Sequence, residues 1–167
     1  MALQDLLDLS QQRKKVGLSE ERVNAIIPVG RQYVAYWREY PDMFIDYLLE
    51  MGNPQNFKFF FYQRVFLRIA MRYQYVYAVF PRAYSKSFLS MMVLMIRCVL
   101  YPKCKLFVTS GGKEQAAGIM KEKVQEICTL IPAFKREIDW SRGVTLEGKD
   151  YAKYVFKNGS YFDNIAA

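Results

Sequence analysis

The chain has 167 residues, 52% hydrophobic and 16% aromatic, and 24 Lys and Arg against 16 Asp and Glu give it a net charge of +8. A single domain of this size buries roughly 70% of its unfolded surface, so its core needs no disulfide or metal, and the composition excludes a disordered chain. The basic excess suits a polyanion, nucleic acid or nucleotide phosphate, or a surface that is merely kept soluble, while the absence of histidine excludes imidazole zinc sites and His-based acid–base catalysis.

Met1 to Lys15 carries Asp5 and Asp8 within its apolar stretch, unlike a secretory leader. Ser19 is placed to cap a helix whose first turn holds Arg22. A helical segment covers about Gly30 to Tyr40, and Pro41 breaks it and opens a short helix of its own. Gly52-Asn-Pro is a loop. From Phe59 to Arg72, Phe59, Tyr62, Phe66, Ile69 and Tyr73 recur at helical spacing and predict one apolar face.

The pattern then changes. Tyr75-Val-Tyr-Ala-Val-Phe80 is a continuous aromatic and β-branched run, which predicts a strand covered on both faces. Pro81 to Ser85 is a turn, and Lys86 to Leu100 is a long apolar helix that Tyr101-Pro102 ends. The apolar run Phe88 to Tyr101 is shorter than the ~20 residues of a membrane span and contains Arg97, so it predicts a buried helix. Lys105 to Thr109 is a second short strand. Ser110 or Thr109 caps a helix running to about Leu130, before Pro132. Lys113, Lys121 and Lys123 read as its solvated face. Val144 to Glu147 and Tyr154 to Lys157 are strand-like, and Asn158-Gly159 predicts a hairpin into Ser160-Tyr-Phe. Cys98, Cys104 and Cys128 form no CxxC pair, which argues against a disulfide framework and fits a reducing compartment.

Strand, turn, helix, strand, helix predicts an α/β fold: a parallel sheet with flanking helices, preceded by a helical lead-in (residues 1–56) and ended by a β-hairpin. In such sheets ligands lie beyond the carboxyl ends of strands, at helix N-termini. Phe80-Pro-Arg-Ala-Tyr-Ser-Lys-Ser87 is at such a place. The phosphate loop G-x-x-x-x-G-K-[ST] wraps phosphates in backbone N–H groups, reaches them with its lysine and binds Mg²⁺ with its hydroxyl. Lys86 and Ser87 stand in that order, with Phe80 and Ser85 where the glycines would be.

Pro81-Arg82-Ala83-Tyr84-Ser85-Lys86-Ser87 resembles the variant loop x-R-x-x-G-K-[ST] of the large terminase subunit of tailed bacteriophages, departing at Ser85. Phe61-Tyr62-Gln63-Arg64 resembles that family's upstream adenine motif. Trp37-Arg-Glu-Tyr-Pro41, Val108 to Ala116 and Phe156-Lys-Asn-Gly-Ser160 resemble further stretches, so the likeness covers about residues 35 to 165.

The resemblance implies the N-terminal part of a P-loop ATPase domain (residues 57–167) of a DNA-packaging motor. It implies ATP and Mg²⁺ as cofactors, with Arg82 as a catalytic arginine supplied in cis and Lys86 on the β- and γ-phosphates. Ser87 would be a metal ligand, Ala83 to Ser87 (with Tyr84 and Ser85) the anion nest, Gln63 the adenine reader and Tyr62 a stacking ring or a core aromatic. Ser110 to Lys113 could approach DNA or the γ-phosphate, or serve only as a helix cap. The implied partners are double-stranded DNA, the portal protein and the small terminase subunit, in a ring within the host cytoplasm and away from membranes. No apolar strand ending in Asp-Glu follows, and Asp139, Asp150 and Asp163 do not end such strands. The resemblance therefore implies a piece that binds nucleotide without hydrolysing it and without cutting DNA. A helicase-like P-loop domain and a non-enzymatic basic nucleic-acid-binding scaffold remain alternatives.

Overall fold

The computed structural model describes residues 20–165, in two units that meet in sequence at Glu39 and Tyr40. The expectations for Met1 to Lys15 and for a Ser19 cap lie outside the described residues. The first unit contains helix α1 (Glu20–Glu39), which continues through Pro28 although proline removes a ladder hydrogen bond. Tyr33 packs against Trp37 one turn on, with ring centroids 5.5 Å apart.

The second unit begins with α2 (Pro41–Met51), opened by proline at its first turn as expected. Next is α3 (Phe61–Arg72). Its buried face is Gln63, Leu67 and Met71, whereas Ile69 and Tyr73 of the expected apolar face are exposed. An ion cluster causes that rotation. Arg68 donates to buried Asp42 from both Nε (2.7 Å) and Nη2 (2.8 Å), and Arg64 donates to Asp46 from Nη2 at 2.8 Å. These bidentate pairs fix which side of α3 meets α2.

Helix α4 (Lys86–Leu100) is the buried centre expected of the long apolar run, with Leu89, Met92, Met95 and Ile96 fully enclosed. Arg97 does not interrupt this helix. Its Nη2 donates to the Ala70 and Met71 carbonyls (3.0 and 3.3 Å) and so caps the end of α3. Beyond it lie β1 (Lys105–Val108), α5 (Lys113–Leu130) and α6 (Pro132–Glu137). Gly112, not Ser110 or Thr109, is the N-cap of α5, and the Ser110 hydroxyl donates instead to the Gly112 carbonyl at 3.0 Å. Pro132, expected as a breaker, also starts α6.

The sheet is completed by β2 (Leu146–Glu147), β3 (Ala152–Val155) and β4 (Tyr161–Asn164) in the order β1-β4-β3-β2. Only β1 and β4 are parallel, so the unit is mixed α/β. Asn158-Gly159 makes the expected hairpin, with Gly159 at φ +84° where glycine carries no Cβ penalty. Tyr154 and Phe162 cover the helix-facing side of the sheet. Buried Asn164 ties down the end of β4, accepting from Ala152 N–H (2.7 Å) and donating to the Lys113 and Asp150 carbonyls.

The buried strand expected at Tyr75 to Phe80 does not form. Residues 76–80 lie in no strand, and Tyr75, Tyr77 and Val79 are 87%, 94% and 78% exposed. β-Propensity becomes a strand only beside an edge that takes up its backbone groups. Among the described residues β1 leaves one edge open, yet the run does not dock on it and its backbone joins no ladder. The parallel βαβ unit expected through α4 is therefore absent. Val76 and Phe80 are more sheltered than their alternate neighbours, and Phe80 packs edge-on against Phe66 of α3 at 5.2 Å.

Candidate functional site

Position of the site follows from the way α4 is held. At its C-terminal end the hairpin side chains satisfy the last carbonyls. Asn158 Nδ2 donates to Cys98 O (2.7 Å) and Val99 O (3.2 Å), and Ser160 Oγ donates to Tyr101 O (2.8 Å). At the N-terminal end no side chain caps the helix. The N–H groups of Lys86, Ser87 and Phe88 belong to the first turn, where helix geometry offers no internal acceptor.

The backbone ahead of that turn bends through two left-handed residues, Ala83 at φ 67° and Ser85 at φ 52°, ψ 26°. Neither is glycine, and each such residue costs of order 1–3 kcal/mol. Alternation of left-handed residues with ordinary ones turns successive N–H groups toward one side, the geometry of an anion nest. Residues 81–88 line an open cavity of about 470 Å³, bordered on its other side by Lys123 and Glu126 of α5. Arg82 and Lys86 are exposed and make no ion pair with a described residue, whereas Ser85 and Ser87 are half-buried. Ring contacts anchor the loop to α3: Tyr84 meets Tyr62 at 5.4 Å, and Tyr62 stacks with Phe60 at 6.2 Å.

Of the site residues expected from sequence, Arg82, Ala83, Tyr84, Ser85, Lys86 and Ser87 therefore share one cavity. Tyr62 adjoins it through Tyr84. Gln63 does not line it: the side chain is buried, Oε1 accepts the Phe60 N–H at 2.9 Å, and Nε2 faces the Tyr62 hydroxyl at 3.4 Å. That arrangement caps α3 and occupies the oxygen that adenine recognition would use. Ser110 and Lys113 lie away from the loop cavity, Lys113 beside Asp150 at 3.8 Å.

Two site residues were not foreseen. Lys123, expected on a solvated face, donates to Glu122 Oε1 (2.8 Å) and Glu126 Oε2 (2.9 Å) at the cavity wall. Those hydrogen bonds hold its ammonium above the usual lysine range. No periodicity could have placed it there, because the contact depends on how α5 crosses α4.

Among the described residues no three acidic or cysteine side chains converge on a metal position. A divalent ion here would take the Ser87 hydroxyl, phosphate oxygens and water, as Mg²⁺ with nucleotides usually does. The Cys98 thiol is pushed up by burial and by neighbouring Cys104, 3.9 Å away, and Cys128 is pushed up by burial to about 11. All three cysteines are free thiols, and the two buried ones are unreactive by this measure. No helix among the described residues is long and apolar enough to cross a membrane. No family model matches the chain, and neither does any curated protein.

Proposed function

We propose that this chain binds the polyphosphate of a nucleoside triphosphate in the loop Pro81 to Ser87. The observation that supports it is the coincidence of two left-handed non-glycine residues with an uncapped helix N-terminus, over a cavity that Arg82 and Lys86 border. Strain of that kind persists where function selects the geometry. The backbone N–H groups of 83 to 87 would donate to phosphate oxygens, Lys86 would neutralise the β- and γ-phosphates, and Ser87 would ligate Mg²⁺. Arg82 would stabilise charge on the transferring phosphoryl group. The base would meet the rings of Tyr62 and Tyr84, with Gln63 reading adenine only after releasing the Phe60 N–H.

On this reading the chain is part of a P-loop ATPase of the terminase type, in which ATP drives double-stranded DNA into a capsid in concert with portal protein and small subunit. Within these residues it binds nucleotide without turning it over. A thermal melt tests it directly. Mg-ATP at 100 times its dissociation constant stabilises a one-site protein by ~2.7 kcal/mol. That shift is expected for the wild type and not for Lys86→Ala, and its absence at millimolar nucleotide would refute the reading.

One observation favours a second reading, a basic nucleic-acid-binding module that takes no nucleotide. The run at 75–80, which should position the loop, stands outside the sheet. Affinity for DNA that falls steeply with salt, without any nucleotide-induced stabilisation, would support that module instead.

A further inference from the structure

The cavity of the loop is bordered by Lys123 and Glu126, one helical turn apart on α5. Three cations border it: Arg82 and Lys86, which make no ion pair with a described residue, and Lys123, which two carboxylates hold. Those carboxylates differ. Glu126 lines the cavity with its side chain 44% exposed, whereas Glu122 lies outside it and is 70% exposed. The Lys123 side chain itself is only 24% exposed, whereas Arg82 and Lys86 are exposed, so it is the most sheltered of the trio. A polyphosphate entering this space would carry three or more negative charges past the Glu126 carboxylate and offer Lys123 a more highly charged acceptor. Charge-assisted bonds to phosphate exceed those to a single, partly solvated carboxylate.

We propose that Lys123 is a further phosphate-binding residue, kept in check by Glu126, and that the polyphosphate draws its ammonium from that carboxylate into the cavity. Lys123 and Glu126 then form a latch whose opening depends on ligand charge. This rests on the loop being a polyphosphate site, and it adds a second element, α5, to the ligand's surroundings.

The probe is inorganic triphosphate without divalent metal, titrated calorimetrically against the whole chain. Lys123→Gln should weaken binding about fivefold, and Glu126→Gln should tighten it by about the same factor, the size of one charge-assisted contact at a partly solvated site. Glu50→Gln, the same change of charge on an exposed residue outside the cavity, should leave affinity within about twofold of the wild type. Melting temperatures of the unliganded variants should stay together, because exposed ion pairs contribute little to folding. The latch is overturned if Lys123→Gln binds like the wild type, or if Glu50→Gln tightens binding as much as Glu126→Gln, which would reduce the effect to net charge. If Lys86→Gln abolishes binding while Lys123→Gln does not weaken it, only the latch falls. If the wild type itself ignores triphosphate, the loop reading and the latch fall together.

Discussion

The two ends of α4 solve opposite problems in opposite ways. At the C-terminal end the carbonyls of Cys98, Val99 and Tyr101 all accept side-chain hydrogen bonds from Asn158 and Ser160. The turn that presents those side chains uses glycine for its left-handed residue, Gly159. At the N-terminal end no side chain caps the helix, and the left-handed positions are filled by Ala83 and Ser85. The C-terminal end has one left-handed non-glycine residue of its own, Lys103 at φ 61°, but side chains meet its last carbonyls. The N-terminal end has two such residues, no side-chain cap and a cavity beside it, and conflicts of that kind are expected where a site is built.

The comparison breaks most sharply at the hairpin. Asn158→Ala strands the Cys98 and Val99 carbonyls at a partly buried position and is expected to cost about 2 kcal/mol in denaturant unfolding. Gly159→Ala forces a Cβ onto a φ of +84°, and its expected cost is about 1.5 kcal/mol by the same measurement. Ser85→Gly should do the reverse, raising stability by about 1 kcal/mol because glycine removes the left-handed penalty. A destabilised Ser85→Gly would mean that the serine side chain, not the strained backbone, is what the fold needs.

The smallest effect concerns the support of α3, against which the loop leans. Burial pushes the Asp42 carboxyl up, but Arg68 and then Arg64 outweigh it and hold the group below its usual range. A lowered carboxyl contributes stability that is present above its unfolded value, near 3.9, and is lost as pH falls through the folded one. Wild-type stability should therefore drop below about pH 4 more steeply than that of Asp42→Asn, as equilibrium unfolding across pH 3–6 would show.

Much of this was legible in the sequence. The long apolar helix, the proline opening α2 and the Asn-Gly hairpin were each specified by local chemistry that tertiary context did not override. Arg82 to Ser87 could be placed at a helix start because strand-like residues precede them and apolar ones follow. The rest was not legible for physical reasons. Whether Tyr75 to Phe80 becomes a strand depends on a neighbouring edge, and no property of its own six residues encodes one. The buried face of α3 is set by Asp42 and Asp46 some twenty residues earlier, so the periodic aromatics pointed to the wrong side. Lys123 reached the cavity wall through the packing of two helices.

Amide hydrogen exchange over residues 83–88, with and without saturating inorganic triphosphate, asks whether those N–H groups hold phosphate oxygens. Exchange there should slow markedly with triphosphate in the wild type and stay fast with Lys86→Ala. Unchanged exchange in the wild type at saturating triphosphate would contradict a phosphate-binding loop at this helix end.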